Sequence, residues 1–305
     1  MKRKVYEQLL EWKNQEHHKP LILNGVRQCG KTYILKEFGR QEFDSLAYVS
    51  CDRNVNLQAI YSGDFDVARI IQGLSALTGV DIIPGKTLIF LDEVQAFPQA
   101  LEALKYFCED APEYHIVVAG SLLGVALHAG VSFPVGKVQT LRLFPMDFEE
   151  FLMAMGEEQL LKLMHSHDYE LMNAFHEKLK DLLRQYYYVG GMPEVVKAFV
   201  ENKLLNQVRS LQNEILSNYA SDFSKHAPSQ EVPRIDMVWQ SILGQLSKEN
   251  KKFVYGVLKK GGRAKEFELA IQWLVDAGLV YKITKVSKPE LPLKFYEDLS
   301  AFKLY

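Results

Sequence analysis

Cysteine is scarce in this chain, and its few cysteines are poorly placed for cross-links. There are 3 among 305 residues, at positions 29, 51 and 108, an odd number without a C-x-x-C pair. This pattern argues against a disulfide framework and against a zinc site, and it is typical of a reducing compartment. We therefore expect a cytoplasmic protein.

Long apolar runs are missing as well. No stretch approaches the ~20 apolar residues that span a bilayer, so we expect no membrane as a partner. The basic first residues run into a charged, helix-like segment without the apolar core of a signal peptide. The histidine pair, His17 and His18, lies in a polar stretch, which predicts a solvated position.

Neither sign of charge is in large excess. The formal net charge is -2 and the pI is about 6.5, which gives no global reason to expect a nucleic-acid-binding protein. With 48% hydrophobic and 24% charged residues, the chain has the profile of a soluble globular protein. Its length allows two domains or three small ones.

One segment matches the complete pattern G-x-x-x-x-G-K-[ST] of a phosphate-binding loop. An apolar run at 21–23 precedes it and predicts a strand, and residues 33–38 predict the start of an amphipathic helix. In that setting backbone N–H groups face the phosphates, assisted by the positive end of the helix. The predicted nucleotide-binding residues are Gly25, Val26, Arg27, Gln28, Cys29, Gly30, Lys31, Thr32 and Tyr33. The alternative is a glycine-rich turn that fits the pattern by chance.

An acidic pair follows another apolar strand, predicted at 87–91. Asp92 and Glu93 lie at its carboxyl end, where a parallel α/β sheet gathers its ligands. Asp92 and the Thr32 hydroxyl are the predicted Mg²⁺ ligands, while Lys31 reaches the β- and γ-phosphates as a catalytic residue. Glu93 is the predicted catalytic group that orients or deprotonates the attacking water. The alternative is that the pair merely begins a solvent-facing loop.

A polar residue, Ser121, comes soon after the strand predicted at 115–119. If that strand lies between those that carry Gly25 and Asp92, Ser121 reaches the γ-phosphate and is a third catalytic candidate. A structural role at a strand end is an equally good interpretation. Gln95 is a weaker candidate for a contact with the attacking water.

Strands and helices alternate through residues 1–150. This alternation predicts right-handed βαβ crossovers and a doubly covered parallel sheet, the α/β fold of a P-loop NTPase. Strands are predicted at 21–23, 46–49, 87–91, 115–119 and 138–143, and helices at 5–13, 68–77 and 99–109.

The strand signal disappears after residue 148. We predict a helical segment and linker over 151–230, with the polar stretch 221–233 as the linker, and a winged-helix-like module over 231–305. The predicted helices are 149–163, 169–187, 194–219, 235–246, 253–259 and 265–277, and the strands of the wing are 278–283 and 293–296. The apolar end, 301–305, is either an edge strand or an interruption of the module.

The combined motifs resemble a large group of prokaryotic AAA+-type ATPases with a C-terminal region of unknown function, DUF4143. The resemblance extends over about residues 19–305 and is carried by segments 25–32, 90–95, 120–121, 143–151 and 188–194. It implies an ATPase core, a helical segment and a winged-helix region. It also implies a nuclease-like domain, which would begin where this chain stops.

Two departures from the group bear on mechanism. Cys29 stands where a small apolar residue is usual, and its place beside Lys31 predicts a lowered thiol pKa; a tolerated small side chain is the alternative. Lys137 stands where many relatives have arginine. Arg142 and, as a weaker point charge, Lys137 are therefore the candidates for an arginine finger; the alternative for each is a simple surface cation.

Three functions fit these patterns. The leading one is an ATPase that binds ATP and Mg²⁺, releases ADP, and uses hydrolysis to switch its C-terminal modules and a partner, either another protein or a second copy of the chain. The alternative is a DNA-binding regulatory protein whose cations are Lys248, Lys251, Lys252, Lys259, Lys260, Arg263 and Lys265. A small-molecule kinase is a third possibility, but the arginine-rich lid of such kinases is not evident.

Overall fold

The computed structural model describes residues 1–52, 54–121 and 133–305. They form two compact units, Met1–Asn213 and Glu214–Tyr305. The division at 150 and 230 that the sequence suggests stays a prediction.

The first unit is built on a parallel sheet of five strands. The strands are β1 (Leu21–Asn24), β2 (Ser45–Ser50), β3 (Thr87–Asp92), β4 (His115–Gly120) and β5 (Gln139–Arg142). Their order is β2-β3-β4-β1-β5, and all neighbours run parallel. The predicted α/β fold of a P-loop NTPase is confirmed. The strand β4, which precedes Ser121, lies between β1 and β3. The strand order that would bring Ser121 close to the phosphate loop and Asp92 is therefore present.

Helices cover both faces of this sheet. They are α1 (Val5–Lys13), α2 (Lys31–Glu42), α3 (Asn56–Ile60), α4 (Val67–Thr78) and α5 (Pro98–Asp110), with a 3-10 turn at Val94–Ala96. Apolar side chains of α1 and α2 form one core cluster with the sheet, and those of α4 and α5 form another on a separate set of strand residues. All residues of β3 and β4 are buried, as expected for central strands covered on both sides.

A helical region completes the first unit. Its helices are α6 (Phe148–Ala154), α7 (Glu158–Ser166), α8 (Tyr169–Ala174), α9 (His176–Val189), α10 (Pro193–Asn202) and the first part of α11 (Leu205–His226). The helix predicted at 169–187 is interrupted at Phe175, and those predicted at 149–163 and 194–219 are each divided. Gly156 (φ 78°) and Lys203 (φ 55°) adopt left-handed conformations at the breaks, which an α-helix does not contain.

The histidine prediction is wrong for His18. Its side chain is only 9% exposed, and its ring stacks on that of His115 with centroids 3.8 Å apart. Trp12 meets both rings edge-on. Burial lowers the pKa of both imidazoles, that of His115 to about 4. The two histidines are part of the packing between α1 and the sheet. Because they are 97 positions apart in the sequence, a local pattern does not reveal their contact.

The second unit consists of the last part of α11, two further helices and a hairpin. Its elements are α12 (Val232–Leu246), a 3-10 turn (Tyr255–Val257), α13 (Ala264–Asp276), β6 (Lys282–Val286), a 3-10 turn (Leu293–Tyr296) and β7 (Glu297–Leu304). Strands β6 and β7 pair antiparallel. Phe223, from the end of α11, packs its ring edge-on against Trp239 and Trp273, which joins α11 to both helices.

Several predicted elements of this unit are misplaced. The predicted linker is mostly helical, because Phe223 is fully buried and anchors α11 as far as His226. The helix predicted at 253–259 is a single 3-10 turn. The strand predicted at 278–283 overlaps β6 only at its last two residues, because Gly278 (φ 73°) ends α13. The strand predicted at 293–296 is a 3-10 turn, and the partner of β6 is β7. The segment 301–305 belongs largely to β7, where Ala301, Phe302 and Leu304 are buried.

Candidate nucleotide-binding site

The phosphate loop joins β1 to α2, as its sequence predicts. The chain leaves β1 at Asn24 and enters α2 at Lys31. Gly25 has no room for a side chain, since a Cβ there would lie 2.4 Å from the carbonyl oxygen of Leu143. Gly30, just before the helix, has φ 96°, a conformation that glycine adopts at little cost. The two glycines of the motif are thus required by backbone geometry.

Lys31 lies under this loop with its side chain turned inward. The residue is 6% exposed, and its Nζ donates to the carbonyl oxygens of Gly25 and Val26, each at 2.8 Å. Burial lowers the pKa of its ammonium group, and the nearby Glu93 and Asp92 act in the opposite direction. An ammonium held among loop carbonyls and carboxylates is well placed to exchange those partners for phosphate oxygens.

Thr32 and Asp92 are brought together across the sheet edge. The Thr32 hydroxyl donates to Asp92 Oδ2 at 2.7 Å, the backbone N–H of Glu93 donates to Oδ1 at 3.0 Å, and the Tyr48 hydroxyl lies 3.4 Å from Oδ2. Asp92 is 4% exposed, and burial raises its pKa. A hydroxyl and a carboxylate at this spacing are hard oxygen donors of the kind that Mg²⁺ binds.

The protein donors alone are too few for a metal site. Over the described ranges, no group of three or more His, Cys, Asp or Glu side chains is arranged to hold a metal ion. Mg²⁺ characteristically binds through one or two carboxylates together with substrate phosphates and waters. The Thr32–Asp92 pair therefore fits a metal that arrives with a polyphosphate.

Glu93 has an unusual backbone conformation at the end of β3. Its φ and ψ are 52° and 43°, the left-handed region that non-glycine residues rarely occupy and that is concentrated at functional sites. Its carboxylate accepts a hydrogen bond from the Gln95 amide. Gln95 Oε1 is buried without a hydrogen-bond partner among the described residues. The carboxylate and amide thus form a polar pair beside Asp92.

Ser121 lies at the neighbouring strand end. Gly120 of β4 is in register with Asn24 of β1, so the residue after each strand falls at the same edge of the sheet. Arg27 Nε donates to Ser121 Oγ at 3.3 Å, and Ser121 is 5% exposed. The structure therefore connects the phosphate loop directly to the third catalytic candidate.

Other predicted residues have different surroundings. Tyr33 is 58% exposed, and Gln28 is exposed with φ 62°. Cys29 is fully buried in the core below the loop. Burial raises the pKa of its thiol, although Lys31 and Arg3 act to lower it. The expectation of a lowered thiol pKa is thus wrong, because desolvation outweighs the nearby cations.

The two arginine-finger candidates differ in their surroundings. Arg142 ends β5, in register with Asn24, and its guanidinium lies 5.1 Å from the centre of the Phe144 ring. Lys137 Nζ is paired with Glu109 at 2.8 Å. Arg142 is therefore at the edge of the sheet where the phosphate loop begins, and Lys137 forms an ion pair with Glu109.

Sequence reasoning missed two residues that support the site. Arg3 contacts the phosphate loop from the N-terminal segment, with Nη1 3.0 Å from the carbonyl oxygen of Cys29. Tyr48 supports Asp92 from β2, and Lys36 Nζ lies 3.5 Å from the centre of its ring. Neither residue belongs to a motif. A tyrosine within a predicted strand and an arginine in a basic N-terminus are common surface features.

The comparisons with known proteins agree with this geometry at the level of the domain. A family model described as an AAA domain matches residues 17–152, the segment that contains the five-stranded sheet and the phosphate loop. A model described as a domain of unknown function, DUF8612, matches residues 180–305. The resemblance implied a C-terminal DUF4143 region, and this expectation is wrong, because the C-terminal part matches DUF8612.

One solved structure shares the fold of this chain. The chain is similar to the Walker-type ATPase paby2304 of Pyrococcus abyssi, with a TM-score of 0.59 and 13% identity over 99% of this chain and 93% of that one. Drosophila ORC bound to DNA has a TM-score of 0.39 and 14% identity, over 98% and 89%. The Aeropyrum pernix ORC1 protein in complex with DNA has a TM-score of 0.36 and 15% identity, over 99% and 87%. The first likeness shows that the two chains share a fold, and the other two are too distant to support an argument.

No curated protein matched the sequence. In the part of the chain that the structure describes, every helix is too short or too polar to cross a membrane.

Proposed function

We propose that this protein binds ATP together with Mg²⁺ and hydrolyses it to ADP and phosphate. The observation that carries the proposal is the convergence of three predicted elements at one sheet edge. Lys31 lies under the phosphate loop, the Thr32 hydroxyl is 2.7 Å from Asp92, and Glu93 follows Asp92 directly. Phosphoryl transfer needs positioning and charge stabilisation above all, and this set supplies a cation, a metal-binding pair and a carboxylate.

Each residue has a defined task in this proposal. The backbone N–H groups of the loop and the Lys31 ammonium bind the β- and γ-phosphate oxygens. Thr32 and Asp92 hold Mg²⁺, which supplies charge neutralisation on those oxygens when it is bound. Glu93 accepts a proton from the attacking water as the water oxygen bonds to the γ-phosphorus and the bond to the β-phosphate oxygen breaks. Gln95, hydrogen-bonded to Glu93, fixes the carboxylate in place.

Hydrolysis is proposed to act as a switch through Arg27 and Ser121. A ligand shifts a conformational equilibrium only through contacts that differ between two states. Arg27 lies on the loop and donates to Ser121 at the end of β4, so a γ-phosphate at that position would compete for both polar groups. Loss of the phosphate would restore their mutual hydrogen bond. The moving parts would be the helical segment and winged-helix-like module proposed at 151–230 and 231–305.

A DNA-binding function is the second candidate, and one observation favours it. The stretch 248–265 carries seven lysine and arginine residues, all exposed, against the single carboxylate of Glu249. Lys259 lies 3.7 Å from Glu266. Such a stretch suits phosphate contacts whose affinity falls steeply with salt. Titration of a fluorescent duplex at two salt concentrations tests this candidate, and an absence of binding at low salt would refute it.

Turnover by two active-site variants tests the leading proposal. Lys31→Ala should abolish ATP binding, whereas Glu93→Gln should bind ATP and fail to cleave it. Exposed residues of the same unit provide matched controls: Lys86→Ala for the first and Glu16→Gln for the second. Phosphate release and nucleotide binding are measured for all four variants. Hydrolysis at the wild-type rate by Glu93→Gln would refute the assigned base.

A further inference from the structure

An arginine from the N-terminal segment is buried against the phosphate loop. Arg3 is 8% exposed, although its neighbours in the sequence, Lys2 and Lys4, are exposed. Its Nη1 donates to the carbonyl oxygen of Cys29 at 3.0 Å, and Nη2 donates to the carbonyl oxygen of Phe144. Because burial of a guanidinium is costly unless its donors are occupied, this placement calls for a specific explanation.

A buried carboxylate balances the charge of Arg3. Arg3 Nε lies 3.1 Å from Glu150 Oε1, and both side chains are 6% exposed. The same Oε1 accepts the backbone N–H of Lys4 at 2.7 Å, while Oε2 lies 3.3 Å from the backbone nitrogen of Asp147 as part of the capping box of α6. Arg3 therefore joins three separate segments: the phosphate loop, the residues after β5, and the start of α6.

The hydrogen bond to Cys29 determines where the next amide points. A trans peptide is planar, and its C=O and N–H groups point in opposite directions. With the Cys29 oxygen held by Arg3, the N–H of Gly30 must point the other way. Gly30 has φ 96°, and a glycine permits rotation of the adjoining peptide at little cost. A fixed carbonyl is thus needed to keep this amide in one orientation.

We propose that Arg3 is a positioning residue for the phosphate loop, holding the Cys29–Gly30 peptide so that the Gly30 N–H faces the bound polyphosphate. The proposal rests on the nucleotide site described above and extends it to the N-terminal segment. Through Glu150, the same contact ties the orientation of the loop to the start of α6. Arg3 itself does not touch the nucleotide; it acts through the peptide.

The expected effect is on nucleotide affinity more than on the chemical step. A phosphate contact made equally in the ground and transition states contributes to binding and leaves kcat nearly unchanged. Loss of one hydrogen bond to a charged group corresponds to about a tenfold change in affinity. Arg3→Lys keeps the positive charge, but an ammonium on a flexible stem cannot reproduce the planar donors of a guanidinium. We therefore expect Arg3→Lys to raise Kd and KM for Mg-ATP about tenfold.

A second variant guards against a trivial loss of folding. The double substitution Arg3→Met with Glu150→Gln removes both buried charges, while the glutamine amide oxygen can still accept a backbone N–H in the capping box of α6. Lys2→Ala is the matched control, since Lys2 is exposed and pairs only loosely with Glu158 at 3.7 Å. Four measurements are made on the wild type and the three variants: Kd for Mg-ATP, kcat, Tm, and hydrogen exchange of peptides over 24–33 without nucleotide.

Arg3→Lys and the double variant should bind Mg-ATP more weakly, keep kcat, and exchange their loop amides faster than the wild type and Lys2→Ala. Wild-type affinity in the double variant, or a parallel loss of Kd, kcat and Tm, would overturn the positioning role. If the wild-type protein itself binds no ATP, the proposed function fails. In that case hydrogen exchange alone tests whether Arg3 orients the loop. Equal exchange of the loop amides in the wild type and the Arg3 variants would refute that role.

Discussion

Replacement of Asp92 by asparagine should raise the stability of the protein and lower its ATPase activity. The residue is 4% exposed, and burial raises the pKa of its carboxyl group. The folded state therefore holds this proton more tightly than the unfolded state, and stability falls as pH rises from the unfolded pKa through the folded one. At a pH above both pKa values, the ionised carboxylate consequently destabilises the fold.

Asparagine fits the same surroundings without the charge. Its Oδ1 can accept the Glu93 N–H that now lies 3.0 Å from Asp92 Oδ1. Its amide nitrogen can donate to the Thr32 hydroxyl, which now lies 2.7 Å from Oδ2. Relief of active-site strain or charge typically adds about 1 kcal/mol to the free energy of unfolding. For a unit of this size that corresponds to a Tm higher by roughly 2–4 °C.

Activity should move the other way. The neutral amide is a poorer Mg²⁺ ligand than a carboxylate, and a loss of about 3 kcal/mol of charge-assisted interaction lowers turnover roughly 100-fold. The assay combines thermal unfolding without nucleotide and phosphate release across a Mg²⁺ titration, with the exposed Asp110→Asn as control. If Asp92→Asn hydrolysed ATP like the wild type, or lost stability by several kcal/mol, the assigned role of this carboxylate would be refuted.

Three further predictions concern parts of the fold that support the site. Because the pKa of His115 is lowered to about 4 and that of an unfolded histidine is about 6.5, only the unfolded state gains this proton between those values. Stability should therefore fall as pH decreases through that window, by up to about 1.4 kcal/mol per pH unit. Urea unfolding at pH 7 and pH 5 should show a smaller pH effect for His115→Gln; an equal effect would contradict the assignment. Gly191→Ala places a Cβ 2.2 Å from the backbone oxygen of Met146 and should destabilise the protein by about 1–3 kcal/mol. Gly244→Ala, with open space around it, should not destabilise it in the same denaturant titration, and equal stability of the two variants would argue against the packing described. The buried Cys29 thiol should react with an alkylating reagent much more slowly than a free cysteine. Mass spectrometry of the labelled native protein checks this, and rapid labelling at Cys29 would contradict its burial.

The local motifs made much of the site predictable. Lys31 and Thr32 are fixed by the loop that precedes a helix, and Asp92 is fixed by the apolar strand before it. Parallel strands place their carboxyl ends at one edge, so the sequence was sufficient to expect these residues together. The strand order then required only that β4 lie between β1 and β3, a condition that the sequence could state but not establish.

The supporting contacts were not predictable in this way. Arg3 and Glu150 are 147 positions apart. Glu150 follows Asp147 at the spacing of a capping box, but no local pattern indicates that it pairs with Arg3. The lowered thiol pKa expected for Cys29 was wrong because the sequence shows the nearby Lys31 but not the desolvation. Burial and long-range pairing depend on the whole tertiary structure, and a single sequence gives them only indirectly.

In the second unit, the position of a strand likewise depends on a distant partner that the local sequence does not reveal. The apolar run at 278–283 predicts a strand, yet its first residues form the turn that ends α13, and pairing begins near Tyr281, which exchanges backbone hydrogen bonds with Tyr305. The register of a hairpin is set by its partner strand. The partner lies at Glu297–Leu304, beyond the segment that local propensity favoured.

Calorimetric titration of the wild-type protein with ATP, in the presence and absence of Mg²⁺, tests the nucleotide site most directly. We expect saturable binding at about one nucleotide per chain that weakens when Mg²⁺ is withheld and disappears in Lys31→Ala. An absence of binding heat under all conditions, or equal binding by Lys31→Ala, would contradict the existence of this site.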